Sequence, residues 1–565
     1  MLAPDYPLAA WRAPCPIARL VRFWLGIRVS LAAVVRAGAV LCWVFSGVLP
    51  AEFTAPNHVI EEIFAGGSSY ALFSTGDSVG AQAGLVSLAA TTGSRRWKIR
   101  VTREGLYHIG CDQLAGVLGT PVPDLASMQL VLGSVGTEQA SEVALREVDA
   151  DGDRLCDTGD GDAVEFWGDP GRSRYDAGGY YWLSEGETAG LRMTRRPSRA
   201  GGLPGPALWY TQSLEQNRYY RSAVGGQDPS GMPHDHWFWT FLAFGSSTFG
   251  PVQEFPFTTG AITEGSAELD TSTYVSVTLA SLAGSHRVQA SLNGVWLGDL
   301  AWQGSNAYEG VLGVPPGILH GGENRLTLGL IAVQAPVAPV LVDRFALTYR
   351  LPQPMPVEGE SSPESRPLIF RTEPGSWQLE FSSAASPITL LDVSDALRPV
   401  EVLPACAGGN CNWGIEGSRV GIYAAVTESA RLAVDSIEED TPSQWRAPAN
   451  GADYILIAHR SLWQAAQRLA DYRRRQFLRV ALVDVQDIYD EFSGGQVDAE
   501  AIRSFLAYAW SNWRPPAPGY VLLLGDGTFD PHGYCTPPDG CPEFGTAMAC
   551  VILQMPNNYL PIFQR

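Results

Sequence analysis

The stretch DYILIAHRSLWQAAQRLADYRRRQFLRVALVDVQDIYDEFSGGQVDAEAIRSFLAYAWSNWRPPAPGYVLLLGDG, residues 453–527, decides the fold of the C-terminal part of this chain. DYILIAH (453–459) is a short apolar run of strand length. SLWQAAQRLADYRRR (461–475) places Leu462, Ala466, Leu469 and Arg473 on one helical face, with Ser461 positioned to cap the N-terminus. FLRVALVDV (477–485) is nearly continuous in apolar residues, as expected of a strand covered on both faces. Asp498 is placed to cap a second helix, whose stripe is Ile502, Phe505, Leu506, Ala509 and Trp513. Pro515, Pro516 and Pro518 stop it, and GYVLLLGDG (519–527) is the third strand. Strands joined by single helices lie parallel with right-handed crossovers, so the stretch predicts a βαβαβ half of an open α/β sheet.

In such a sheet, ligands sit beyond the C-terminal strand ends. Three segments fall there: His459-Arg460, QDIYDEFSGGQ (486–496) read as a loop, and GDGTFD (525–530). Asp526 and Asp530 are candidates for a wall of a substrate cleft; the alternative is a turn in which Asp accepts backbone N–H bonds. Asp484 and Asp487 are placed similarly. No G-x-G-x-x-G or G-x-x-x-x-G-K-[ST] follows any of the three strands, which argues against a nucleotide site.

The A-x-R-L-A-x-Y helix, the VxDVQDIYDEFSxGQ run, the AIRxFL helix and the LLLGDGxxDP strand end stand in the order and spacing of the gingipain-type cysteine peptidases, and NNYLPIF (557–563) is similar to that family's next strand. The resemblance covers about the last 115 residues. WKIRVTREGLYHI (97–109) and DAVEFWGD (162–169) more weakly resemble the N-terminal region of members related to the type IX secretion sortase. The resemblance implies a partial three-layer caspase-like α/β domain and polypeptide substrates. The family's catalytic His sits in a GHG-type strand end and its Cys follows a later strand. Neither motif occurs here, so no catalytic residue carries over. The chain by itself is expected to hydrolyse no peptide. His532 with Cys535, Cys541 and Cys550 offers no better dyad, because disulfide bonding or burial accounts for those cysteines.

Upstream, the chain reads as mainly β. Charged residues make up 17% of the 565 residues, and 60 glycines and 40 prolines suit short strands joined by tight turns. Residues 95–204 form a β-rich N-terminal domain, in which Trp97, Ile99 and Val101 alternate with polar residues and Glu104-Gly105 turns the chain into a second strand. Residues 205–351 carry about eight strand-like runs, a jelly-roll-like sandwich. SLNGVWLGD, GGENRLTL and DRFALTYR in it resemble galactose-binding-like modules, which leaves a glycan-binding module or a plain spacer open. A Pro/Ser/Glu linker (352–367), a small β region (368–450) and the partial peptidase-like domain (451–565) follow.

Residues 1–51 read as a signal peptide or uncleaved anchor: four arginines lead to AGAVLCWVFSGVLPA (37–51), which is shorter than the roughly 20 residues a spanning helix needs. Residues 52–94 read as a linker. Export to the cell surface or medium agrees with cysteines that close short loops, Cys406 with Cys411 and Cys535 with Cys541, either as disulfides or as buried thiols. A net charge of −20 disfavours nucleic acid. DADGDRLCDTGDGD (149–162) sets Asp149, Asp151, Asp153 and Asp157 at a spacing that suits a structural calcium ion, although the Glu of an EF-hand is missing. A solvated acidic turn is the alternative.

Overall fold

The computed structural model describes residues 95–534 apart from 120–121, 135–139, 172, 200–202, 205–207, 222–235, 247, 261–272, 306, 334–336, 352–353, 357–365, 383–386, 408–409 and 529. The expectations for the leader, the 52–94 linker, the Cys535/Cys541 pair and NNYLPIF lie outside these residues.

The N-terminal layer is built on a five-stranded sheet. β1 (Arg96–Val101) runs antiparallel to β2 (Gly179–Glu185) on one side and to β7 (Ser436–Asp440) on the other. Trp97, Ile99 and Val101 face the core as their alternation predicts. The turn at Glu104-Gly105 does not make a hairpin with β1: Gly105–Gly110 pairs with Ala163–Gly168 in a second sheet. Helix α1 (Cys111–Leu118) closes the layer.

The sandwich follows. Its outer sheet has the strand order β3 (Val252–Thr259), β6 (Gly322–Leu330), β4 (Ser285–Leu292), β5 (Val295–Gln303). Its facing sheet continues through Leu368–Thr372, Gly421–Val426, Thr389–Asp392 and Val400–Leu403. Residues 368–450 therefore do not stand as a layer of their own. They extend the sandwich and, through β7, complete the front sheet. A register pairing Arg96 with Asp440 spans too much chain to be read from local pattern.

The last unit is α/β. β8 (Tyr454–Ala458), β9 (Val480–Asp484) and β10 (Tyr520–Leu524) are parallel in the order β9–β8–β10. β8 is buried throughout. α2 (Trp463–Arg474) covers one face through Ala466 and Ala470. α3 (Val485–Phe492) and α4 (Ala499–Asn512) cover the other through Ile488, Tyr489, Ile502, Phe505 and Ala509. Asp498 caps α4 as expected, its carboxylate accepting the Glu500 N–H at 2.9 Å. Ser461 does not cap α2: the chain makes a 3-10 turn first, and the His459 ring accepts the Ser461 N–H. β9 starts later than the apolar run and is only partly buried, because it is an outer strand of the three described. The mainly β modules followed by a partial α/β domain are the fold class expected from the sequence.

Candidate functional site

In the sheet order β9–β8–β10 the chain goes from β8 to one side and then crosses from β9 to the other, so the strand order reverses at β8 and the C-terminal end of that strand is where a ligand site is expected. What the sequence presents as a loop after Val485 is helix α3, whose N-terminus lies at this edge. Asp484 caps it, accepting the Gln486 N–H at 3.0 Å, and its other oxygen takes the Arg460 guanidinium at 3.2 Å.

The front sheet overhangs this edge. Between them lies a cleft of about 820 Å³, walled by β1, β2, β7 and the strap 441–445 on one side, and by His459, Arg460 and α3 on the other. Glu491 fastens the strap, accepting the backbone N–H groups of Trp445 (2.8 Å) and Arg446 (3.0 Å) and the Ser443 hydroxyl. Arg446 lies 4.0 Å over the Phe492 ring.

The two layers are joined by residues from the VQDIYDEFSGGQ run. Asp490 pairs with Lys98, whose ammonium sits 4.6 Å from the Tyr180 ring centroid. The Trp182 indole N–H donates to the Gly494 carbonyl at 3.0 Å, and the Gln496 amide donates to the Gly178 carbonyl at 2.8 Å. Gly494 has φ +66°, and a Cβ there would sit 2.7 Å from the Gly133 backbone. The run that carries the family resemblance is thus, in this chain, a docking surface. Nothing in the sequence pointed to Lys98, Trp182 or Gly133 as its partners.

Asp487 faces the cleft and accepts the Trp445 indole N–H at 3.2 Å. Burial pushes its carboxyl up to about 6; the Trp445 bond opposes this, and the charges of Asp484, Asp490 and Asp440 add to it. Burial also raises the Asp490 carboxyl, with Lys98 pulling the other way. The folded chain therefore holds more protons than the unfolded one between the ordinary Asp range and about pH 6. Stability contributed by Asp487 falls as pH rises through that window. Asp487→Asn can still accept the Trp445 N–H. It is expected to stabilise the chain by roughly 1–3 kcal/mol at pH 7.5 and by little at pH 4. Denaturant titrations at the two pH values read this directly, and an equal effect at both would contradict it.

Asp526 and Asp530 do not line this cleft. Asp526 is exposed and accepts the Gly527 N–H at 2.9 Å. Asp530 is buried, accepts the Tyr534 N–H at 2.9 Å and donates its own N–H to the Thr528 hydroxyl at 3.1 Å, the pattern of a turn. The described residues contain four cysteines, and all are in disulfides: Cys406 with Cys411, one of the two sequence-based pairs, and Cys111 with Cys156, for which the sequence held no signal. No thiol nucleophile faces the cleft among the described residues.

In the acidic loop, carboxylate oxygens of Asp149, Asp151 and Asp153 lie within 4.8 Å of one another. Asp157 is not in that trio, but it belongs to the same charge cluster. Desolvation, then the charges of Asp153, Asp160, Asp151 and Asp162, push its carboxyl up. Gly152 at φ +89° makes the turn, and the Cys111–Cys156 bridge ties the loop to α1.

Residues 447–564 match the profile of peptidase family C25. Among solved structures, latent dimeric PorU from Porphyromonas gingivalis is similar over 83% of this chain, at 18% identity and a TM-score of 0.57. The chain spans 44% of that PorU chain. A carbohydrate-binding module of type CBM36, solved with calcium and xylotriose, matches over 24% of this chain and 98% of its own at 14% identity. The GH26-CBM35 β-(1,4)-mannanase of Podospora anserina matches over 26% of this chain and 29% of its own at 18% identity. Their TM-scores, 0.16 and 0.17, are too low to bear on fold or function. No curated protein matches the chain. The C-terminal α/β unit of this chain is thus similar to peptidase family C25, the family of the gingipains, and the layers in front of it share the fold of PorU.

Proposed function

We propose that this chain is the front portion of an exported gingipain-like cysteine endopeptidase acting on polypeptides. The observation that carries the reading is the family C25 match at 447–564, set on an α/β unit whose C-terminal edge opens into a cleft. Export is supported by the two oxidised cysteine pairs. In the complete enzyme a thiolate attacks the peptide carbonyl and a His moves the proton. The four described cysteines are all in disulfides, so none of them supplies the thiolate, and we read 1–565 on its own as inactive. Iodoacetamide-sensitive hydrolysis of casein or of a peptide library by the purified chain would overturn this.

The loop 149–162 is read as a structural calcium site, with Asp149, Asp151 and Asp153 as ligands and Asp157 beside them. Three carboxylates within 4.8 Å repel one another, and a divalent cation relieves that repulsion. Millimolar calcium is expected to raise the melting midpoint above that in chelator; coincident melting curves would remove the site. A second reading, a surface scaffold that binds glycans without catalysis, is favoured by the exposed Trp296 on the sandwich.

A further inference from the structure

The outer face of the sandwich sheet is a candidate binding surface that the peptidase reading leaves unused. On it, Trp296 of β5 is 62% exposed. Its indole is not free to swing: Nε1 donates to Asp299 at 3.2 Å, and Asp299 also accepts the Arg287 guanidinium at 2.6 Å. Cross-strand register then sets the floor. Ser291 of β4 lies opposite Trp296, and Thr327 of β6 lies opposite Ser291. Two residues back along β4, past a register shift between Ala290 and Ser291, Gln289 lies opposite Asp299 on one side and Gly329 on the other. Short side chains thus form a shallow floor beside a fixed indole wall. From β5 to β3 is three strand spacings, about 14 Å.

Two charged pairs stand on this face, Arg287 with Asp299 and Arg325 with Glu254 at 2.9 Å, and Glu323 adds an exposed carboxylate on β6. The face therefore offers hydrogen-bonding groups with a small excess of negative charge, which selects against phosphate backbones and acidic peptides. A protein anchor is a poor fit as well. Protein hot spots sit in well-packed apolar pockets, and this indole stands exposed beside Ser291, Asp299 and Thr327 rather than in such a pocket. A sugar ring combines an apolar C–H face with a rim of hydroxyls. That matches one rigid aromatic face beside a carboxylate, a guanidinium and an amide.

We propose that this face binds a neutral oligosaccharide, with one pyranose stacked on Trp296 and its hydroxyls bonded to Asp299, Arg287 and Gln289. The proposal rests on the glycan-binding reading and gives it a place in the fold. The test uses the full chain on an array of immobilised neutral hexasaccharides of glucose, xylose, mannose and galactose, with polygalacturonate as an acidic probe. At least one neutral hexasaccharide is retained and the acidic probe is not. Trp296→Ala weakens that binding by about tenfold or more, as truncating an aromatic anchor does. Its melting midpoint stays unchanged because the side chain is at the surface, and Trp296→Phe restores part of the binding. Retention by Trp296→Ala equal to the parent chain would sink this site while leaving glycan binding elsewhere on the chain standing. No retention of any neutral probe by the parent chain would sink the site and the glycan reading together.

Discussion

Gly494→Val undocks the α/β unit from the front sheet, at an expected cost of about 3 kcal/mol or more. Two effects add. Gly494 has φ +66°, a conformation that a β-branched residue resists. A Cβ there would also lie 2.7 Å from the Gly133 backbone, and backbone cannot step aside as a side chain can. Relief requires the SGGQ turn to lift away. That breaks the Trp182–Gly494 bond and draws Asp490 from Lys98. Gly245→Val is the control, since Gly245 has φ +70° with nothing within 4 Å of its Cβ position. It carries the backbone strain alone, roughly 1–2 kcal/mol. Limited proteolysis between residues 441 and 452, the strap and the segment after it, separates the two: rapid cutting is expected in Gly494→Val only. Equal protection in both variants would mean that the docking contact is not what holds the units together.

Glu165→Gln is expected to cost about 3–5 kcal/mol in the N-terminal layer. Glu165 is fully buried and meets Arg146 at 2.7 Å, Arg431 at 2.9 Å and the His108 ring at 2.9 Å. Burial would push its carboxyl up, but His108, Arg431 and Arg146 outweigh burial and hold it below the usual range. The amide keeps the shape and leaves the surrounding cations without a buried counter-charge, apart from the share Glu401 takes of Arg146. The pH signature has the opposite sign to that of Asp487. A depressed carboxyl contributes stability above its unfolded pKa and loses it as pH falls through the folded value. The parent and Glu165→Gln should therefore converge in stability in acid. A constant gap down to acid pH would contradict the assignment.

The sequence made local structure readable where a side-chain period met a cap or a stop. β8, α4 and the Asp498 cap are examples, because burial on one stripe and a satisfied helix end are decided within a dozen residues. QDIYDEF was misread as a loop because its polar residues outnumber its apolar ones. Yet Ile488 and Tyr489 fill the core, and the acids are spent elsewhere: Asp487 on Trp445, Asp490 on Lys98 and Glu491 on the strap. Two of those three partners lie within 50 residues, but Lys98 is 392 residues away. Interactions of that range leave no periodic trace in a single chain. The same holds for β7 completing the sheet of β1 and for Cys156 bridging to Cys111. The acidic loop was legible because alternate positions of a tight turn project together, which brings Asp149, Asp151 and Asp153 into one group. The resemblance located the peptidase-like unit, but the role of its most recognisable run became visible only with the front sheet packed against it.

The most direct measurement of the peptidase account is the native product itself. The protein would be captured from producing cells and their medium with an antibody to residues 95–534, labelled with an iodoacetamide probe and sequenced peptide by peptide. The account predicts peptides that continue past Arg565, with the reactive thiol among them and a cleavable leader absent from the exported form. A native product that ends at Arg565 and carries no reactive thiol would contradict it, and the chain would then be a binding scaffold on a peptidase fold.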